Sequence, residues 1–534
     1  MLDSRTGNLP TVMKHEFSRV PQADIQRSTF NRSHGVKTTF DAGYLVPILV
    51  DEVVPGDTFS VNAMGFGRLA TPIYPIMDNL YVETFFFFVP NRLIWDNWER
   101  FNGAQDNPTD STSYLVPQIT LGSGVSIADS TLFDYMGLPI NVNGIEFNNL
   151  HGRAYNLIWN EWFRDENLQD SVQVDLDDGP DSVSDYTLLK RGKRHDYFTS
   201  ALPWPQKGNA VNLPLGSTAP VVTTNADVLF NTAAFNNRSM YLGDANGILA
   251  NGAGANNSIN SGAGWNKLRF GADSGLETDL STATGATINE LREAFQIQKL
   301  YERDARGGTR YTEILQSHFG VTSPDARLQR PEYLGGGKSP VGFEAVPQTS
   351  STDATTPQGN LAAMAQVGVG GHGFTKSFVE HGVIIGMANV FADLTYQQGM
   401  NRMWKRRDRW DFYWPALAHL GEQAILNEEI YTTGTSTDTD VFGYQERYAE
   451  YRYKPSQITG KMRSAATGSL DVWHLSQDFS ALPVLNNTFI EENPPIDRVV
   501  AVTNEPDLIF DWFFDMKTTR PMPVYSVPGL IDHF

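Results

Sequence analysis

Hydrophobic and polar positions alternate with period two in several short segments of this chain, and long polar spans separate them. In DTFSVNA, Phe59, Val61 and Ala63 alternate with Thr58, Ser60 and Asn62, which predicts a half-buried strand. In LIFDWFF, Leu508, Phe510, Trp512 and Phe514 share one face and Asp511 marks the other. FVEHGVIIGMANV (378–390) and DRVVAVT (497–503) read as further strands. YVETFFFFVPNRLIWDNWERF (81–101) breaks the alternation with four consecutive phenylalanines. In an extended chain Phe85 and Phe87 point one way and Phe86 and Phe88 the other, so neither face can be left in water. A cover is needed on both sides, and either the chain's own helices or a neighbouring subunit could supply it.

Helical spacing appears in LIWDNWERFNG (93–103), in HGRAYNLIWNEWFRDENL (151–168) and across 287–320. In the last, Thr287 and Glu290 have capping-box spacing, and Ile288, Leu291 and Phe295 begin an apolar stripe. Gly307 and Gly308 break it, and Tyr311, Ile314, Leu315, His318 and Phe319 form a second stripe closed by Gly320, so a helical hairpin is predicted. Residues 206–286 hold only nine charged side chains in 81 positions and read as a long surface insertion. A second loop-like zone spans about 335–372. Strands at both ends of the chain with long insertions between them predict non-local antiparallel pairing in a two-sheet sandwich.

Composition narrows the chemistry. With no cysteine among 534 residues, disulfides, thiolate metal sites and a cysteine nucleophile are excluded. The longest apolar runs, such as GVIIGMANVFA, fall far short of the ~20 residues of a membrane helix, and the N-terminus lacks an apolar signal core, so no membrane insertion is expected. The net charge of −20 repels phosphates on average and confines any nucleic-acid contact to local patches. One such patch is residues 1–37, with six Lys/Arg against three acids; it reads as either an extended basic arm or a disordered tail. GVGGHG (368–373) has the spacing of a dinucleotide loop but precedes a predicted strand, so it reads as a flexible loop. His381 reads as a hydrogen-bonded core histidine. Asp177–Asp178 and Glu428–Glu429 are adjacent acids with no further catalytic signature.

RMWKRRDRWDFYWP (402–415) carries five basic side chains and one acid within 402–409, interleaved with Trp404, Trp410, Tyr413 and Trp414. That pattern suits single-stranded nucleic acid, whose bases stack on rings, and equally a protein interface rich in Arg and Trp. YQERYAEYRYKPSQITGK (444–461), with four tyrosines, raises the same pair of readings.

The long segment HGVIIGMANVFADLTYQQGMNRMWKRRDRWDFYWPALAHLGEQ, with FGYQERYAEYRYKPSQITGKMRS, YVETFFFFVPNRLIWDNWERF and RYTEILQSHFGV, resembles the major capsid protein of gokushoviruses, small single-stranded DNA phages of the Microviridae. The resemblance implies an all-β fold with helical insertions: an eight-stranded antiparallel jelly-roll β-sandwich spanning 38–534, preceded by the 1–37 arm. It implies a structural protein of the virion, with no enzymatic role and no cofactor, whose sixty copies form a T=1 icosahedral shell around single-stranded DNA. The 206–286 insertion would be a variable protrusion for contact with a host cell surface receptor. Expected partners are an internal scaffolding protein, a DNA pilot protein and a small basic DNA-binding protein, with assembly in the cytoplasm of a bacterial host. Lys14, Arg19, Arg27, Arg32 and Lys37, and with them Lys405, Arg406, Arg407 and Arg409, are the candidate DNA contacts. Phe86, Phe88, Trp404, Trp410, Tyr448 and Tyr451 are the candidate interface residues. The rival readings are a β-sandwich host-surface or carbohydrate-binding protein and a glycoside-degrading enzyme.

Overall fold

A computed structural model describes residues 25–208, 288–308, 310–320, 328–352 and 357–525, together with the backbone of short strands between 221 and 278. The chain divides into a main unit, residues 1–205 and 322–534, and a second unit, residues 206–321.

Two large antiparallel sheets dominate the main unit, with two short ribbons, Gln118–Thr120 with Glu146–Asn148 and Glu422–Leu426 with Val441–Glu446, beside them. In the first, Leu508–Arg520 lies between Thr58–Leu69 and an edge made of Ser28–Asn31 and His34–Phe40 placed end to end. Leu361–Ser377 and Gly342–Pro347 extend the other side. The second sheet has the order Glu332–Pro340, Leu80–Pro90, Gly382–Ala392, Val46–Val53. The expected all-β antiparallel sandwich with helical insertions is the fold observed. Alternation fixes which side faces in: Leu508, Phe510, Trp512, Phe514 and Met516 are buried, whereas Ile509, Asp511, Phe513 and Asp515 are exposed.

The four phenylalanines sit on a strand with a neighbour on each side, and both of its faces are covered by the chain itself. Phe86 and Phe88 enter the core between the sheets, where Phe86 lies against Phe374 and Phe88 against Phe378. Gly386, opposite Phe86 in the next strand, makes room for that ring; a Cβ there would lie 2.7 Å from it. Phe87 enters a second core outside the sheet, with Trp95, Ile119 and residues of the Leu150–Ile158 helix. Phe85 is half-buried against Phe163. With exposures of 0% and 3%, Phe86 and Phe88 leave no surface for a neighbouring subunit, so the expectation that they form an interface is corrected. Segments from residues 91–190 supply the missing layer. A third apolar cluster gathers Phe198, Tyr396, Ile425, Phe442 and Phe489.

Three other expectations change. The 335–372 zone is largely strand rather than loop, and GVGGHG lies inside Leu361–Ser377 at a bulge where Gly371 adopts φ +74°. There His372 is buried and bridges the sheets, 2.9 Å from Thr84 Oγ1 and 3.1 Å from Ser339 Oγ, and burial lowers its pKa, favouring the neutral ring. DRVVAVT forms a 3-10 turn and a single bridge from Val500 to Pro72. His381 precedes its strand and packs edge-on against Trp98.

In the second unit the helical pair is present: Ile288–Gly307, then Tyr311–Ile314 continued by a π turn to Phe319 and closed by a left-handed Gly320. Its apolar pattern is not all inward, because Phe295, Tyr311 and Phe319 are exposed.

Phe86→Ala is expected to lower the stability of the folded chain by about 3–5 kcal/mol, because the cavity lies between two packed sheets. Phe66→Ala, on the exposed face of the same sandwich, should change it by no more than about 0.5 kcal/mol. Denaturant unfolding of the two variants measures the difference; equal shifts would contradict this account of the core.

Candidate assembly and nucleic-acid surface

Lys14 and Arg19 lie outside the described residues. From Ser28 the N-terminal segment is an edge of the sandwich rather than a free tail, and its cations have partners within the chain. Arg27 donates to the Gly56 carbonyl and to Thr58 Oγ1. Arg32 forms a two-pronged pair with Asp51, with Nη2 to Oδ1 at 3.0 Å. Lys37 pairs with Asp511 at 2.6 Å, and both side chains are well exposed. Such an exposed pair contributes only about 0–1 kcal/mol and exchanges readily for another anion.

The 402–417 segment is built from three short 3-10 turns, Arg402–Trp404, Arg409–Asp411 and Pro415–Leu417. Asn401 Oδ1 accepts from the Met403 N–H at 3.0 Å and starts the first turn. Asp411 accepts from the N–H groups of Arg407 and Asp408, and these two bonds hold its carboxyl below the usual carboxylate range. The turns keep the segment from continuing as helix or strand, so its basic side chains separate into two sets.

One set is pinned inward. Arg402 reaches Glu429 at 3.0 Å, Lys405 reaches Glu428 at 2.9 Å, and Arg406 reaches Glu450 at 3.2 Å while stacking over the Tyr451 ring. Burial pushes the Glu429 carboxyl up, and Arg402 and the N–H of Leu426 oppose that shift. Tyr197 donates to the other Glu429 oxygen at 3.1 Å. A cavity of about 380 Å³ opens beside this group, lined by Tyr197, Tyr396, Arg402, Trp404, Glu429 and Tyr453 among others. Glu428 and Glu429 are therefore the counter-charges of the basic run. Asp177 and Asp178 likewise serve neighbours: Asp177 lies 3.5 Å from Arg153, and Asp178 accepts from the Trp95 indole at 2.8 Å.

The second set faces out. Arg407 and Arg409 are exposed and make no ion pair among the described residues; Arg409 lies over Trp410 and near Trp414. Trp404 is 72% exposed, and Trp410, Phe412, Tyr413, Trp414 and Leu420 are exposed as well. Tyr451 is partly exposed, but Tyr448 is buried beneath Tyr413 and its hydroxyl lies 3.4 Å from the Trp410 carbonyl. Tyr448 thus supports the surface instead of forming it. Contacts link Arg406 to Tyr451, Arg409 to Trp410, Trp410 to Tyr448 and Tyr448 to Tyr451, with Trp404, Lys405 and Arg407 in the same segment; the contacts described above for Arg27, Arg32 and Lys37 involve none of these residues. Phe412, whose ring centroid lies 5.8 Å from the Arg406 guanidinium, belongs to the same surface, and Leu420 is exposed a few residues further along the chain. Sequence reasoning passed over them because single apolar residues beside a basic run carry no period.

A family profile described as capsid protein (F protein) matches residues 18–530 of this chain. The capsid protein VP1 of Bdellovibrio phage phiMH2K is 51% identical over 526 residues, covering 98% of each chain. VP1 of Chlamydia phage 1 is 47% identical over 588 aligned positions, again covering 98% of each. VP1 of Spiroplasma virus 4 is 39% identical over 541 positions, covering 97% of each.

Arg402→Ala should destabilise the subunit by about 3–5 kcal/mol, since it strands the buried Glu429 carboxylate. Arg407→Ala should cost no more than about 0.5 kcal/mol. Chemical denaturation of both variants tests whether the basic run really divides into an anchoring set and a free set.

Proposed function

This chain belongs to the phage capsid protein (F protein) family, and from that premise we propose that sixty copies of it close a T=1 icosahedral shell around a single-stranded DNA genome. It is a major capsid protein of the gokushovirus type within the Microviridae, and its place is the virion. The observation that carries the assembly reading is the surface at 404–420. Its exposed rings, with Arg407 and Arg409 making no ion pair among the described residues, form a patch of the kind that contacts between subunits consume. The N-terminal segment, through Lys14, Arg19 and the loosely paired Lys37, is assigned to the genome. A subunit at −20 cannot neutralise DNA with so few cations, so a small basic DNA-binding protein completes the charge balance. An internal scaffolding protein, a DNA pilot protein and assembly in the bacterial cytoplasm belong to the same reading. Residues 206–286 are assigned to host receptor contact, because they fall in a unit separate from the sandwich.

Co-expression of the chain with its scaffolding partner should yield uniform shells by negative-stain microscopy, and Trp404→Ser with Trp410→Ser should reduce their yield severalfold. Monomers or small rings alone under conditions that support phage growth would refute the assembly reading. Hydrolysis of a polysaccharide that is abolished by neutralising one carboxylate would favour an enzyme.

Removing residues 215–280 should leave the sandwich folded, with an unchanged near-ultraviolet circular dichroism spectrum, while adsorption of particles to host cells falls. An unfolded product would overturn the assignment of this segment to the surface.

A further inference from the structure

The second unit carries a charged face that none of the roles above employs. Its Ile288–Gly307 helix buries the stripe through Leu291, Ala294, Tyr301 and Ala305 wholly or in part. On another side stand Arg292, Lys299, Arg303 and Arg306, spaced i, i+7, i+11 and i+14. At 3.6 residues per turn these four fall within an arc of roughly 60°. Arg292, Lys299 and Arg303 are exposed and have no partner among the described residues. The carboxylates along this part of the helix are engaged elsewhere or lie off the arc. Glu302 is held by Gln298 at 3.0 Å, Asp304 by His318 at 2.6 Å, and Glu293 points well away by helical position. Phe295, at the margin of the arc, is 65% exposed although its spacing predicted burial.

Charge is divided unevenly along the chain. Residues 206–321 contain nine Lys/Arg and ten Asp/Glu, a net −1. The main unit contains 32 Lys/Arg and 51 Asp/Glu, a net −19. Between copies that share this excess, a contact is favoured where cations of one meet carboxylates of another, which also orients the pair. A helix face with a continuous row of cations and an exposed phenylalanine at its edge meets that requirement, since Arg and aromatic side chains anchor protein contacts. Single-stranded DNA fits less well: sequence-independent binding uses several rings on which successive bases stack, and this face has one.

We propose that the Arg292–Lys299–Arg303 face of this helix docks on the acidic surface of a neighbouring copy of the same chain in the assembled shell. The inference rests on the self-assembly reading above. The test is the full-length chain with Arg292→Gln, Lys299→Gln and Arg303→Gln, co-expressed with its assembly partners beside the unaltered chain. Shell yield by sedimentation should fall on the order of tenfold, with the helical circular dichroism of the free subunit preserved. Lys299→Glu alone should lower the yield more than Lys299→Gln at low ionic strength, and the gap should close at about 1 M salt, where the Debye length is ~3 Å. The single variants decide the matter if the triple one does not fold. Shells at unaltered yield and unaltered salt dependence would overturn the proposal. So would unaltered shells that package less DNA or adsorb less well to cells, which would assign the face to the genome or to a host polyanion. Failure of the unaltered chain to form shells in the same cells would instead remove the self-assembly reading itself.

Discussion

The Leu80–Pro90 strand has a hydrogen-bonded neighbour on each side and large apolar side chains on both faces, so it demands a packed layer above and below. One layer is the opposite sheet, through Phe374 and Phe378. The other is made by inserted segments, through Trp95, Phe163 and the Leu150–Ile158 helix. Burying a phenylalanine is worth about 1.5–3 kcal/mol, far less than ordering a hundred residues costs, so the inserted segments are held by their own buried side chains, Trp95, Ile119, Phe133, Tyr155 and Trp159 among them, packed together with Phe87. The insertions are therefore structural before they are anything else. A subunit closed in this way has finished its core before it meets a second copy, and association must draw on surface residues.

That consequence turns attention to the 402–420 segment. Three cations are tied to buried carboxylates, Arg402 to Glu429, Lys405 to Glu428 and Arg406 to Glu450, which restrains the segment. That restraint serves the rings. Trp404 and Trp410 are displayed from short turns anchored at both ends, and Tyr448 supports Trp410 from below. A preordered aromatic surface loses less side-chain freedom on association than a mobile one.

Period-two segments were legible from sequence because burial on one face imposes alternation; Leu508 to Phe514 and Phe59 to Ala63 are buried as read. Glycine-rich stretches misled. Around Gly368 to Gly373 the small residues permit close approach of strands and a bulge, and the sequence of such a strand is hard to tell from that of a loop. The fate of charged side chains was the least legible. Lys405 and Arg407 are two positions apart in one basic run, yet one neutralises Glu428 and the other is free among the described residues. Lys405 is anchored by Glu428 and its neighbour Arg406 by Glu450, both more than twenty positions downstream, and no local pattern encodes that separation. Phe295 fails for a related reason: helical spacing gives candidate faces, and tertiary packing chooses among them.

Electrostatics then limits how such subunits can come together. At physiological ionic strength the Debye length is about 8 Å, so the −20 total is not felt as one repulsive body but surface by surface. Repulsion averaged over the subunit slows encounter, and the stability of a contact depends on which few groups lie within that distance. A net acidic capsid protein is therefore no obstacle to a closed shell, provided its free cations are gathered rather than scattered. Two such groups stand among the described residues, Arg407 with Arg409 beside exposed tryptophans and Arg292 with Lys299 and Arg303 along a helix, while Arg68, Lys338, Lys454, Lys461 and Lys517 are exposed singly. In the two proposed contacts each set pairs cations with an uncovered ring, so burial of the ring is the source of adhesion and the charges are the source of orientation.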